Sequence, residues 1–163
     1  MINNDILRRL RYALKLNDEK LLDIFKSMDV KISQFQLTKY MMKEDDKGFE
    51  LCPNQTIVAF LDGLIIFYRG VQEGREPQPP WPEGKFLAHN EVLRKIRIAL
   101  ELKETDILSM MEAVDFRVSN PELSALFRKE GHRNYKLCGD QFLRNFINAL
   151  GKIKRDPKPT KTA

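Results

Sequence analysis

The spacing of apolar residues predicts a chain of short amphipathic helices. Those of the first predicted helix recur at intervals of three and four, which places them on one helical face: Ile6, Leu7, Leu10, Ala13 and Leu14. A second apolar run covers residues 18–28, and patterns typical of strands are nearly absent. The pattern therefore predicts an all-α fold.

Serine residues mark the start of a third helix. Ser33 stands three residues before Gln36, and Ser119 stands three residues before Glu122. Both pairs fit a capping box, in which the serine accepts from a backbone amide and the later side chain reaches back. After a polar turn, a fourth helix is predicted from about residue 54 and again from about residue 140.

The helical pattern occurs twice. Residues 4–70 align without a gap with residues 90–156, an offset of 86 positions, and roughly a quarter of the aligned pairs are identical. In both copies an asparagine, Asn4 or Asn90, precedes an acidic residue and an apolar run, so we expect it to cap the first helix. The sequence thus predicts two tandem four-helix repeats, related by a pseudo-two-fold axis and derived from a duplication.

The predicted domain boundaries follow from this duplication. The first repeat is expected over residues 1–70, a proline-rich linker over 71–88, the second repeat over 89–155 and a flexible basic tail over 156–163. Prolines in the linker disfavour a helix and favour extended chain. Trp81 in this linker has two interpretations: it tucks into a groove on the repeats, or it is an exposed recognition element.

Composition and charge narrow the function classes. The chain is 42% apolar and 31% charged, with a net charge of +5 that comes mainly from the second repeat. No apolar run is long enough to span a bilayer, and the start of the sequence lacks a signal-peptide pattern. We therefore expect a cytoplasmic protein that does not act at a membrane.

Few residues are suited to catalysis. Two cysteines and two histidines are too few for a disulfide framework or a four-ligand zinc site, and no phosphate-binding glycine motif occurs. Cys52 and Cys138 hold equivalent positions, and buried free thiols are favoured over redox sensors. We expect no enzyme active site, no metal and no cofactor.

Charged residues retained in both repeats predict structural ion pairs. The arginines lie three residues apart on the first helix of each repeat, and arginine pairs well with carboxylates at helix junctions. The predicted network has four members in each repeat: Arg8, Arg11, Asp29 and Glu44, matched by Arg94, Arg97, Asp115 and Glu130. Phosphate contact is the competing interpretation for the arginines.

The fourth helix of the first repeat is apolar almost all round, which is typical of a buried helix. We expect it to form the contact between the repeats or a self-association interface, through Ile57, Phe60, Leu61, Leu64 and Phe67.

A cluster of basic residues is the main functional candidate. Arg128, Lys129, Arg133 and Lys136 are expected on the third helix of the second repeat and the turn after it, where the first repeat has residues of lower charge. We hypothesise that these four side chains contact nucleic-acid phosphates, although a solvated surface explains them equally well.

The sequence resembles the bacterial YehS family of uncharacterised two-repeat helical proteins. The resemblance rests on residues 4–14, on 43–46 and on the second opening at Asn90. It implies a helical bacterial protein and brings no activity. Each repeat is more weakly similar to the lambda-repressor-like helix-turn-helix, which implies pairing of Arg11 with Glu44 and of Arg97 with Glu130.

Two functions remain open from the sequence. One is a nucleic-acid-binding, regulatory module of helix-turn-helix-like type. The other is a scaffold that binds another protein or itself without contacting nucleic acid. A basic surface favours the first, and exposed apolar residues favour the second.

Overall fold

The computed structural model describes residues 1–71, 73–74 and 76–153, which form eight α-helices and no strand. The all-α fold class is thereby confirmed. The predicted tail, residues 156–163, lies outside the described residues. The helices are α1 (Asn3–Ala13), α2 (Asp18–Ser27), α3 (Gln34–Tyr40), α4 (Asn54–Arg69), α5 (His89–Ala99), α6 (Glu104–Ala113), α7 (Asn120–Phe127) and α8 (Asp140–Lys152).

Helices α1 to α4 each begin 86 residues before their counterparts α5 to α8. The two repeats also share unusual backbone at equivalent points. Asp29 and Asp115, which follow α2 and α6, have φ angles of 58° and 56°. This left-handed region is unfavourable for most side chains but tolerated by Asp. The retained aspartates therefore occupy helix-terminating positions.

Serines cap α3 and α7 as predicted, but neither capping box is complete, because the Glu122 carboxylate accepts from the Ser119 hydroxyl and the Gln36 side chain makes no bond to the Ser33 backbone amide. The prediction for the starts of α1 and α5 fails. The Ser33 hydroxyl accepts from the Gln36 amide at 3.1 Å, and that of Ser119 accepts from the Glu122 amide at 3.2 Å. By contrast, α1 begins at Asn3, and Asn4 lies inside the helix and is fully buried. The expectation that Asn4 and Asn90 are caps was wrong, because both are needed for interior hydrogen bonds described below.

Each repeat contacts the other through equivalent helices, and this reciprocal packing defines the pseudo-two-fold relation. Helix α4 packs on α2 of its own repeat and on α5 of the other, while α8 packs on α6 and α1. The first residues of α4 and α8 bind the segments that precede α5 and α1. The Asn54 side-chain amide donates to the Lys85 carbonyl at 3.2 Å, and Asp140 accepts from the Met1 amino group at 2.8 Å. One hydrophobic core therefore extends through both repeats.

Helix α4 is covered on two sides. Ile57, Phe60, Leu61 and Leu64 are buried and Phe67 is half-buried. Phe60 packs within its own repeat, with its ring centroid 5.5 Å from that of Phe25. Helix α4 also packs on α5, and there a residue outside the predicted set forms an ion pair: Asp62 binds the Lys95 ammonium at 2.6 Å, and both side chains are about 5% exposed.

The linker lies against the helices. Trp81 is half-buried and packs on the core, and its indole N–H donates to the Lys85 carbonyl at 3.2 Å. The Lys85 ammonium lies 4.5 Å from the centre of the Trp81 ring. The nearby Leu87 is buried. Of the two interpretations of Trp81, the tucked side chain matches this geometry.

Candidate nucleic-acid interface

The four candidate basic residues lie in the loop between α7 and α8. Helix α7 ends at Phe127, and Arg128 has an extended backbone. Gly131, with φ of 92°, allows the chain to turn at a position where a side chain would be strained. Residues 128–139 are called the basic loop, and their counterparts 42–53 the acidic loop.

A buried asparagine holds the basic loop in place. The Asn90 side-chain amide donates to the carbonyls of Leu126 and Lys136, at 3.0 and 2.8 Å, and its oxygen accepts from the Cys138 amide at 2.7 Å. These bonds satisfy backbone groups that would otherwise be buried without partners. Asn4 makes the equivalent three bonds, one to the Tyr40 carbonyl at the end of α3 and two to Glu50 and Cys52 of the acidic loop. Both loops therefore start and end at fixed points.

The two loops differ in charge. The basic loop has four basic residues and one acidic residue, whereas the acidic loop has two basic and four acidic residues. Arg128, Lys129, Arg133 and Lys136 are all exposed, and none forms an ion pair within the described residues. The four charges are therefore available to a ligand from solvent.

A pocket beside the basic loop contains Arg94 and Arg97, for which phosphate contact was the competing interpretation, and adds Arg69, which the sequence did not indicate. Its volume is about 550 Å³, and it is lined by Arg69, Arg94, Arg97, Ile98, Glu101, Leu102 and Phe127. Phe127 directly precedes Arg128, so this arginine pocket adjoins the loop. The Arg97 guanidinium lies 4.4 Å from the centre of the Phe127 ring and donates to the Leu102 carbonyl at 3.0 Å. The surface is thus basic on α4, α5 and the loop.

The predicted ion-pair network does not form. Arg8 binds the Asp5 carboxylate and the Met42 carbonyl, and Arg94 binds Glu91. Arg11 lies 2.8 Å from Asp18. The three carboxylates are close in sequence to their arginines, whereas the Met42 carbonyl, 34 residues from Arg8, joins the first helix to the acidic loop.

The carboxylates of the predicted network are elsewhere. Glu44 and Glu130 are exposed in the two loops, and Asp29 and Asp115 end helices. Within the described residues none of the four enters an ion pair. Their retention in both repeats was therefore misread as pairing.

The helix-turn-helix comparison is also weakened by geometry. Arg11 does not pair with Glu44, and the Arg97 contacts described above do not include Glu130. Six residues, 114–119, separate α6 from α7, more than the three or four of the usual turn. The first turn of helix α7 also exposes Pro121, which has no N–H to donate, and Glu122, whose negative charge is unfavourable beside phosphates.

The two cysteines are inert in this fold. Cys52 and Cys138 are almost wholly buried. Burial raises the pKa of both thiols to about 12, because a thiolate would lose its hydration. Since the thiolate is the reactive form, neither residue is suited to redox chemistry near neutral pH.

The described part of the chain has neither a metal-binding cluster nor a membrane-spanning helix. No group of three or more His, Cys, Asp or Glu side chains there is placed to hold a metal ion. None of its helices is both long enough and apolar enough to cross a bilayer.

These features define a class of all-α protein with two tandem repeats related by a pseudo-two-fold axis, in which the first helix of each repeat packs on the fourth helix of the other. The chain belongs to the family described as "Protein of unknown function (DUF1456)", which matches residues 3–70 and 89–156. It is 41% identical over 150 residues to "Uncharacterized protein YehS" of Escherichia coli strain K12, covering 92% of this chain and 94% of that protein. No solved structure gives a significant match. The resemblance to the YehS family is confirmed.

Proposed function

We propose that this protein binds nucleic acid through the phosphate backbone, without catalysing a reaction, using the basic loop and the arginine pocket of the second repeat. The observation that carries this proposal is the set of four exposed, unpaired basic side chains on a loop held by Asn90. The pocket beside them contains three more arginines, of which Arg69 lies 3.3 Å from Glu101 and Arg94 binds Glu91.

The chemistry of these groups favours phosphate. Binding of phosphates by lysine and arginine releases counterions from the nucleic acid, which supplies most of the affinity of nonspecific complexes. Arginine adds planar, bidentate hydrogen bonding to phosphate oxygens. Because the basic side chains lie on a loop rather than on an inserted helix, binding is expected to be sequence-tolerant.

Fluorescence anisotropy tests the proposal. The parent chain and a variant with Arg128, Lys129, Arg133 and Lys136 changed to Ala are titrated into labelled duplex DNA and single-stranded DNA and RNA, at about 50 and 200 mM salt. We expect weak, salt-dependent binding by the parent. For duplex DNA, the slope of log affinity against log salt should fall by about 0.9 for each phosphate contact removed.

A matched variant controls for loss of positive charge as such. Lys43 and Lys47 of the acidic loop are changed to Ala and should leave affinity nearly unchanged. No binding by the parent at low salt, or equal affinity of the quadruple variant, would favour the competing function, a protein partner.

A further inference from the structure

The two seams between the repeats occupy equivalent positions but are filled differently. One seam joins α4 to α5 and the other joins α8 to α1. In the first, Lys95 and Asp62 form the buried ion pair. The equivalent positions in the second hold Arg9 and Asn148, so the carboxylate that would neutralise the cation is replaced by an amide.

The α1/α8 seam is open where the α4/α5 seam is closed. Gly151 stands at the position of Ile65, and Lys152 at that of Ile66. A groove of about 630 Å³ runs along this seam. It is lined by Arg8, Arg9, Tyr12, Ala13, Val114, Asn145, Ile147, Asn148, Gly151 and Lys152.

The lining of this groove is basic and polar. It has three cationic side chains and no carboxylate. Arg8 is neutralised by Asp5, but Arg9 is half-buried and makes no hydrogen bond or ion pair within the described residues. A half-buried guanidinium without a carboxylate partner favours an anion from solvent.

The other residues that line the groove are suited to binding a planar group next to an anion held by Arg9. Tyr12 is 87% exposed, although the equivalent Ile98 is half-buried. An exposed aromatic ring at a groove edge provides a stacking surface. The amides of Asn145 and Asn148 supply donors and acceptors. The volume lies within the range of small-ligand sites and exceeds the needs of a bare phosphate ion.

We propose that the α1/α8 groove binds a nucleotide, with the phosphate at Arg9 and Lys152 and the base against Tyr12. This site is separate from the basic loop and does not depend on it. At the pseudo-symmetric seam, the positions of Arg9, Asn148 and Gly151 hold the Lys95–Asp62 pair and Ile65, and the arginine pocket shares only the equivalents of Arg8 and Tyr12 with this groove.

Isothermal titration calorimetry of the full chain tests this proposal with four probes: adenosine 5′-monophosphate, uridine 5′-monophosphate, inorganic phosphate and adenosine. We expect both nucleotides to bind more tightly than inorganic phosphate, and adenosine to bind weakly or not at all. Absence of heat from both nucleotides up to about 5 mM, a concentration at which a site with a Kd near 1 mM would be mostly filled, would overturn the proposal.

Two variants assign the site. Arg9→Gln should lower nucleotide affinity at least tenfold. Gly151→Ile copies the closed seam and should abolish binding, while the fold is checked by circular dichroism. A Cβ at Gly151 would lie 3.5 Å from the Ala13 Cα, an ordinary contact, and the circular dichroism check covers the larger isoleucine side chain. Lys31→Gln, which removes an exposed cation outside the groove, is the charge control.

The quadruple basic-loop variant separates this proposal from the nucleic-acid proposal. It should retain nucleotide binding even if nucleic-acid binding is lost. Nucleotide affinity that falls in the loop variant and survives Arg9→Gln would place the nucleotide at the loop and contradict the groove assignment.

Discussion

The acidic loop of the first repeat and the basic loop of the second are held by the same asparagine bonds but carry opposite charge. Asn4 and Asn90 each bind two carbonyls and a cysteine amide at matched positions. The exposed side chains between those points differ from one repeat to the other. The duplicated fold has therefore kept the residues that position each loop, while the solvent-exposed residues differ and are free to bind different partners.

The two seams show the same division. At the α4/α5 seam, the Lys95–Asp62 pair is buried between the helices. At the α1/α8 seam, Asn148 is exposed and Gly151 has no side chain, so a groove remains. Variants at equivalent positions should therefore have unequal effects.

The largest expected effect is at the closed seam. Lys95→Met would leave Asp62 buried without its partner, which should lower the free energy of unfolding by about 3–5 kcal/mol. The equivalent change at the open seam, Arg9→Met, removes a half-exposed charge and should change it by less than about 0.5 kcal/mol. Urea unfolding followed by circular dichroism measures both.

The double variant Asp62→Leu with Lys95→Met is the control for this prediction. Since neither charge then remains, most of the lost stability should return. Equal effects of Lys95→Met and Arg9→Met would show that the seams are energetically alike and would remove the contrast.

A smaller effect is expected where α2 meets α4. A Cβ at Gly63 would lie 2.5 Å from the Ile24 carbonyl oxygen, too close without a backbone shift. Gly63→Ala should therefore lower the free energy of unfolding by about 1–3 kcal/mol. The second repeat already has Ala149 at this position, and Ala149→Gly should cost about 1 kcal/mol through helix propensity. A more stable Gly63→Ala protein in thermal unfolding would contradict the close packing.

The repeats should behave alike at their cysteines. Burial raises the pKa of Cys52 and Cys138 from 9.0 to about 12, so the folded state holds these protons more tightly than the unfolded state. This contribution to stability is fully present below about pH 9 and is lost as the pH rises from there toward 12. Urea unfolding at pH 8, 9 and 10 should show the decline, and a Cys52→Ala, Cys138→Ala protein should show less of it.

Alkylation of the thiols gives a second measure of their burial. Neither should react with iodoacetamide at pH 8 in the folded protein, and both should react in denaturant. Rapid labelling of one thiol without denaturant would show that its repeat opens locally.

The helical repeats could be predicted from the sequence because apolar periodicity and capping serines are local signals. Ser33 and Ser119 act only on residues three positions away. The interior role of Asn4 and Asn90 could not be predicted in this way, since their partners lie 36 to 48 residues distant and are backbone groups.

The candidate sites divide in the same manner. The basic loop is contiguous in sequence and was found from charge alone. The arginine pocket and the α1/α8 groove bring together residues far apart in the chain, such as Arg69 with Phe127 and Arg9 with Asn148. Alignment of the repeats gives one indication of the groove, because Asn148 stands where the first repeat has Asp62. This difference can be interpreted only once α4 is known to pack on α5.

The measurement that tests the central claim most directly compares the two loops for binding of a labelled DNA duplex at about 50 mM salt. In one variant, residues 128–136 are replaced by residues 42–50, which places an acidic loop beside the arginine pocket. In the other, Glu44, Asp45, Asp46 and Glu50 are changed to their amides, which raises the net charge without altering the second repeat. Local phosphate binding predicts that the first variant loses at least tenfold in affinity and that the second stays within about threefold of the parent, because charges outside the binding surface act on the duplex only through the salt-screened field. Affinity that instead rises with net charge in the second variant, and survives in the first, would contradict the assignment of binding to the basic loop.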